Sequence, residues 1–271
     1  VTFEFWKMHG AANDFVVIDH RVPFLPADPA TIVRRLCDRR RGVGADGVLA
    51  LEPDAEVDFA MAYWNADGGR ADFCGNGARC IARLALDLGL GHGGGVRFRT
   101  DAGPKSGRRS PDGRWMDLGF GHVDPPGGAE CVRAAGRVFT GWFVSAGVPH
   151  FVVPVDRVSE VPIEAWGTAL RHHARFGPPG TNVDFIEVIE SGRVAMRTFE
   201  RGVEGETLAC GSGAIASALA AAIGGMRSPV VVRTAGGDDL VVSFEPREGG
   251  YEVTQRGPAE IAFRGTWAPA D

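Results

Sequence analysis

Lysine is almost missing from this chain. Only Lys7 and Lys105 occur in 271 residues, against many arginines, which leaves few candidates for a pyridoxal phosphate Schiff base. Cysteine is scarce and odd in number. Five cysteines without dense spacing, and without a C-x-x-C pair or a Cys/His cluster, read neither as a disulfide framework nor as a metal site. Long apolar runs are absent too: the longest, Ala214 to Ile223, has ten residues with Ser217 among them and is too short to span a membrane. No basic surplus exists; the net charge of −5 gives no electrostatic footprint for nucleic acid. Arg39-Arg40-Arg41 reads as the end of a helix rather than a phosphate site. The glycine-rich stretches are not followed by Gly-Lys-Ser/Thr and do not fit G-x-G-x-x-G, which argues against a phosphate loop. The first residues, Val-Thr-Phe-Glu-Phe-Trp, alternate like a strand and not like a signal peptide. The expectation is a cytoplasmic protein with reduced thiols, no cofactor and no metal, which binds neither nucleic acid nor membrane.

What the chain does contain is a repeat. Cys74-Gly75-Asn76-Gly77-Ala78 returns as Cys210-Gly211-Ser212-Gly213-Ala214, 136 residues later and about half the length away. The same register carries Trp6 onto Trp142 and Phe15 onto Phe151. His9 to Val17 and Ser145 to Val153 both read as a tight turn entering a buried strand. A helix is expected from an Asp28 N-cap, with Pro29 at its first position and Ile32, Val33 and Leu36 at helical spacing. Its partner is expected over Glu164 to Arg175, with His172-His173 inside it as surface or core residues. Asp46 aligns with Asn182 in the turns that follow. Phe59 to Asn65 and Ala195 to Arg201 read as strands ending in polar residues, just before the two Cys-Gly motifs. After the first motif Ile81, Leu84, Ala85 and Leu88 form one apolar stripe. After the second, the run is apolar on every side and reads as a buried helix. The stretch from Phe120 to Arg137, with Pro125-Pro126-Gly127-Gly128, is the expected linker. Residues past Pro258 have no counterpart in the first repeat and are expected to return to it as a strand. A shared register through so many elements marks a duplication. The expected domains are 1–119 plus about 259–271, and 120–258, each mostly strands around one buried helix.

A cysteine at the mouth of a helix meets unpaired amide N–H groups and the positive end of the macrodipole. Its thiolate is favoured there, and neighbouring glycines let the backbone approach a ligand. Two such starts facing one another offer two thiols and a ring of N–H donors suited to a carboxylate. Racemisation of an amino acid needs this arrangement. One group removes the α-proton from one face, another delivers a proton to the opposite face, and the roles exchange in reverse. N–H donors that stabilise the developing enolate-like charge replace an electron-sink cofactor. Cys37, Cys80 and Cys131 read instead as small buried hydrophobes. A redox disulfide between Cys74 and Cys210 is the alternative use of facing thiols.

Over essentially its whole length the chain resembles the diaminopimelate epimerase family. The resemblance rests on Lys7-Met8-His9-Gly10 running into Asn13-Asp14-Phe15, on Asn65-Ala66-Asp67-Gly68, and on Cys74-Gly75-Asn76-Gly77-Ala78-Arg79-Cys80. It continues through Pro149-His150, Glu200-Arg201-Gly202 and Ala209-Cys210-Gly211-Ser212-Gly213. It implies an α+β fold of two pseudo-symmetric domains, each a mostly antiparallel, barrel-like sheet around a central helix, with the site in the cleft between them. It implies Cys74 and Cys210 as the acid/base pair, one thiolate and one thiol. Gly75, Asn76, Gly211 and Ser212 would hold the carboxylate at the reacting centre. Glu200 would take the α-amino group, and His150 would orient or tune the site. Asn13, Asn65, Asn182 and Arg201 would bind substrate, the last three at its distal end, where Arg201 suits a carboxylate. For Asn13 and Asn182 the competing role is turn chemistry. The family also implies a homodimer.

Three departures stand out. Ala11-Ala12 occupies the place of a frequent Leu-Gly, Val148 that of a polar residue facing the distal end, and the loop from Glu200 to Cys210 is one residue longer near Glu204. None touches the cysteines. Val148 keeps open a cofactor-independent racemase for another amino acid, such as histidine. Proline racemases share the architecture, and so does a phenazine-biosynthesis group that typically lacks the paired cysteines. A non-catalytic amino-acid-binding or redox protein is the reading from a different class.

Overall fold

A computed structural model describes residues 2–268. Val1 and residues 269–271, the end of the segment expected to return to the first half, lie outside the described residues. The chain divides into two compact units, Val1–Gly119 with Gly257–Asp271, and Phe120–Arg256.

The first unit runs β1 (Phe3–Gly10), β2 (Asn13–Asp19), α1 (Ala30–Cys37), β3 (Gly47–Glu52), β4 (Phe59–Asn65), α2 (Gly75–Asp87), β5 (Gly95–Thr100), β6 (Gly103–Arg109) and β7 (Trp115–Val123), whose end crosses into the second unit. That unit runs β8 (Ala129–Ala134), β9 (Arg137–Ser145), β10 (Pro149–Pro154), α3 (Ile163–Arg171), β11 (Asn182–Glu190), β12 (Arg193–Glu200), β13 (Gly205–Thr207), α4 (Gly211–Ile223), β14 (Val230–Arg233), β15 (Asp239–Arg247) and β16 (Gly250–Pro258). The last strand, β17 (Glu260–Trp267), belongs to the first unit and pairs antiparallel with β1.

The two units share one topology. In the first, β1–β2 is antiparallel, β2–β3 parallel, β3–β4 antiparallel, β4–β5 parallel and β5–β6 antiparallel. In the second, β9–β10, β10–β11, β11–β12, β12–β14 and β14–β15 repeat that order of senses. The parallel register repeats as well: Phe15 lies opposite Gly47, and Phe151 opposite Val183. Parallel neighbours need a crossover, and α1, α2, α3 and α4 supply the four.

In the first unit the strands curl around α2, which packs on β1, β2, β3, β5 and β6. Side chains alternate between two buried faces. Phe15, Val17, Leu49 and Leu51 face α2, while Val16, Ile18, Val48 and Ala50 face α1. Burial on both faces explains the unbroken apolar runs of β2 and β3. In the second unit α4 packs on β9, β10, β11, β12, β14 and β15, and its residues are buried on nearly every side. Phe151, Phe185 and Phe199 pack on the opposite side with Leu170 of α3.

Several expected boundaries move. The first helix begins at Ala30 rather than just after Asp28. Pro29 is the N-cap, and the Asp28 carboxylate accepts the Ala30 N–H at 3.0 Å from one step further back. The partner helix ends at Arg171, four residues early, because His173 adopts an extended conformation that stops it. His172 therefore caps the helix and pairs with Glu204 at 3.0 Å, instead of lying within it. The expected linker over 120–137 is largely strand, leaving 124–128 as the connection. Inside it β8 pairs with β9 as β17 pairs with β1. The C-terminal strand thus does have a structural counterpart, displaced to the start of the second repeat.

A charged knot ties the start of the first unit together. The buried Lys7 ammonium donates to Asp14 at 2.5 Å and to the Gly44 carbonyl. Arg39 bridges Asp14 and Asp46, each at 2.7 Å. Burial by itself raises the Asp14 pKa, but hydrogen bonds from Arg39 and Lys7 outweigh it and hold the group at about 2, below the usual 3.8. A depressed folded-state pKa stabilises the fold above the unfolded value, and that contribution is lost as pH falls toward 2. Asp14→Asn should destabilise the protein by about 3 kcal/mol near neutral pH, since a buried ammonium loses its counter-charge. Urea unfolding of both proteins should show that gap closing as pH falls from 3.8 toward 2; a gap independent of pH would remove Asp14 as its source.

Candidate active site

Each Cys-Gly motif is a helix start. Cys74 (φ −143°, ψ 121°) and Cys210 (φ −116°, ψ 114°) are extended N-cap residues of α2 and α4. The Cys74 carbonyl accepts the first helical bond from Ala78 at 2.8 Å, and that of Cys210 from Ala214 at 3.0 Å. The N–H groups of Gly75, Asn76 and Gly77, and of Gly211, Ser212 and Gly213, therefore lie in first turns, where a helix supplies no acceptor of its own.

Around Cys74 the polar contacts form a directed chain. Arg79 is wholly buried and donates to Asn76 Oδ1 at 2.7 Å. Asn76 Nδ2 donates to Asn13 Oδ1 at 3.2 Å, and Asn13 Nδ2 donates to Asp46 at 2.8 Å. A guanidinium can only donate and a carboxylate only accept, so both amides have one self-consistent orientation. Asn13 thereby presents its carbonyl to the Cys74 thiol, which donates to it at 3.5 Å. Asn13 is thus more than a turn former.

Around Cys210 the partners differ. Its sulfur accepts the Gly213 N–H at 3.4 Å and lies 3.5 Å from Ser212 Oγ. Ser212 Oγ is 3.0 Å from Nε2 of the buried His150, whose Nδ1 is 2.7 Å from Asp184 Oδ2. Thr198 donates to Asp184 Oδ1 at 2.6 Å. Gln255 Nε2 donates to the Gly211 carbonyl at 2.7 Å and steadies the same helix start. Register places His150 on β10 directly opposite Asn182 on β11.

The remaining expected residues divide by unit. Asn65, exposed at the end of β4, accepts from the Tyr63 hydroxyl at 2.7 Å. Asn182 is buried and bonded to backbone at both ends of its amide, donating to the Pro149 carbonyl at 3.0 Å and accepting from Arg201 N at 2.8 Å. It anchors the turn that carries Arg201. Glu200 accepts from the Thr207 hydroxyl at 2.7 Å. Arg201 is half-buried, and no carboxylate among the described residues pairs with it. Glu204, at the lengthened loop, has φ 58° and binds Arg171, His172 and the Gly202 N–H, so the extra residue is tied down. Sequence reasoning missed Asp184 and Thr198. Their signal was an aspartate inside the apolar run Val183-Asp184-Phe185-Ile186; a carboxylate on a strand buried on both faces needs partners.

The Cys210 thiol differs electrostatically from the expectation drawn from helix dipoles. Burial pushes the Cys210 thiol well above its ordinary range, and the carboxylates of Glu200 and Asp184 add to the effect. Ser212 and the Gly213 N–H pull the other way but do not win. Desolvation thus outweighs the helix terminus, and Cys210 rests as a thiol. Burial likewise raises Cys37 and Cys80 to about 12. Both are core residues, as expected, whereas Cys131 is exposed on β8 beside Thr140.

Solved structures of the same architecture define the class. A hydroxyproline epimerase from Agrobacterium vitis, with trans-4-hydroxy-L-proline bound, superposes with TM-score 0.72 at 17% identity, over 98% of this chain and 92% of that one. A phenazine biosynthesis protein of the PhzF family from Bacillus anthracis superposes with TM-score 0.73 at 12% identity, over 99% of this chain and 100% of that one. These place the chain in the α+β fold of two pseudo-symmetric domains. The sequence comparisons are narrower. A family model described as diaminopimelate epimerase matches residues 5–123 and 142–262. Diaminopimelate epimerase of Aquifex aeolicus is 40% identical over 97% of this chain and 96% of its own length, and that of Desulforudis audaxviator 39% over 98% and 100%. The chain belongs to the diaminopimelate epimerase family and is an isomerase.

Thiol alkylation reads the local electrostatics directly. Near neutral pH, iodoacetamide should label exposed Cys131 before Cys210, Cys37 and Cys80 in the unliganded protein, followed by peptide mass spectrometry. Labelling of Cys210 should accelerate only at alkaline pH, since only the thiolate reacts. Labelling of Cys210 ahead of Cys131 at neutral pH would contradict burial as the controlling term.

Proposed function

We propose that this chain converts LL-2,6-diaminopimelate to meso-diaminopimelate by passing an α-proton between two thiols, Cys74 and Cys210. The observation that carries the proposal is that each repeat places a cysteine at the N-cap of its central helix, in a chain of this family. One cysteine as thiolate removes the proton, and the other as thiol delivers one to the opposite face. The resting state of Cys210 suits the second role. The first-turn N–H groups at Gly75, Asn76, Gly211 and Ser212 receive the substrate carboxylate and stabilise the charge that develops when the α-proton leaves. Glu200 takes the α-amino group, and His150 tunes Cys210. Asn13 orients Cys74, while Asn65, Asn182 and Arg201 serve the distal end. No cofactor enters this scheme. By family likeness the working form is a homodimer in the cytoplasm.

A second reading has one observation in its favour. Val148 is a half-buried apolar side chain at the turn before β10, where a polar contact to the distal end is expected. Asn182 already spends both ends of its amide on backbone. Both favour a racemase for a different amino acid on the same two thiols.

LL-diaminopimelate incubated in D2O with reduced thiols should yield the meso isomer carrying α-deuterium. No exchange would end the proton-transfer proposal. Exchange confined to another member of an amino-acid panel would select the second reading. Cys74→Ala and Cys210→Ala should each lower turnover at least about 10³-fold. Full two-way turnover in both variants would rule out the two-thiol mechanism.

A further inference from the structure

The polar chain behind Cys210 has a direction, and its far end sets it. Thr198 donates to Asp184 Oδ1 at 2.6 Å, and Asp184 Oδ2 lies 2.7 Å from His150 Nδ1. Asp184 and His150 are fully buried and Thr198 nearly so, so their bonds are made within the protein. A carboxylate accepts, so the contact with Asp184 keeps a proton on His150 Nδ1. Nε2 is then the ring atom that can gain or lose one. It lies 3.0 Å from Ser212 Oγ, which in turn lies 3.5 Å from Cys210 Sγ. When Nε2 is bare, the Ser212 hydroxyl donates to it and offers a lone pair to the Cys210 S–H.

The helix is built to admit this carboxylate. A Cβ on Gly213 would stand 2.5 Å from Asp184 Oδ1, so any larger residue collides with it. The matching Gly77 of the first motif faces the Leu49 side chain at 3.2 Å. Where the second repeat places Asp184, the first has an apolar core.

Building on the two-thiol reading, we infer that Asp184 is a positioning residue that makes His150 the proton store of Cys210, with Ser212 as the bridge. In the transfer the Cys210 S–H bond breaks as a new Oγ–H bond forms on Ser212. The original Ser212 O–H bond breaks as Nε2–H forms. Cys210 becomes a thiolate and His150 an imidazolium, whose charge the Asp184 carboxylate already faces. The reverse shift restores the thiol. Cys74 instead donates to the Asn13 carbonyl, which accepts a hydrogen bond but does not carry a proton.

The test begins with the reduced wild-type enzyme labelled with 15N-histidine, the His150 signals being assigned by their loss in His150→Asn. The expected result is a proton on Nδ1; a bare Nδ1 overturns the inference without reference to activity. Asp184→Asn should then lower kcat roughly 10²-fold while KM stays within about threefold, because substrate contacts are left in place. Thr198→Val keeps the carboxylate but frees it, and should cost kcat several-fold, about 3- to 10-fold, with altered His150 nitrogen shifts. If Asp184→Asn does not fold by circular dichroism, Thr198→Val decides alone. A folded variant with unchanged kcat and unchanged nitrogen shifts refutes the positioning role. Should wild-type enzyme place no deuterium in diaminopimelate or the amino-acid panel, the two-thiol reading fails by itself, while the wild-type nitrogen signals still report on Asp184 and His150.

Discussion

The start of a buried helix is the constraint from which the other features follow. An α-helix that begins inside a protein leaves first-turn N–H groups needing partners. Here both central helices begin at the point where a strand and its turn deliver a cysteine in extended conformation. The strands curl around these helices because apolar residues cover nearly every side of α4 and one broad face of α2. A small motif of cysteine and glycines is consequently held by the largest cores of the two units. Precision at the sulfur atoms comes from packing several residues away.

Duplication supplies two such starts, and divergence makes them unequal. The motif residue after the first Cys-Gly is Asn76, locked between Arg79 and Asn13. After the second it is Ser212, hydrogen-bonded toward His150. Amides fix orientation, whereas a hydroxyl and an imidazole can relay a proton. A reaction that inverts a stereocentre needs two groups on opposite faces but does not need them to be identical. The lengthened loop at Glu204 and the Val148 turn are departures of another kind. They leave the helix starts intact and bear on what the far end of a substrate would meet.

Much of this was legible from residues. The repeat register located both helices, most strands and both cysteines, because a period-two or helical pattern of apolar residues is a local property. The family motifs marked His150, Glu200 and Arg201. Boundaries slipped where a side chain acted at a distance from its own position: Asp28 bonds an N–H two residues on, and His173 breaks a helix whose composition would continue it. Reading 120–137 as a linker failed for a different reason. A Pro/Gly cluster hides the strand β8 behind it, and the match between β8 and β17 is topological, with no sequence register to reveal it.

By itself the sequence determined the duplication, the scarcity of lysines and lack of close cysteine pairs for other chemistries, and the placing of one thiol at the mouth of each central helix. These depend on order along the chain. Only the tertiary structure decided the state of the second of them, Cys210. The helix dipole argued for a depressed Cys210 pKa, but burial beside Glu200 and Asp184 prevails and raises it. Asp184 reaches His150 from 34 residues away, across neighbouring parallel strands. Electrostatics sums over everything close in space, and which groups are close is settled only when the sheet has closed around its helix.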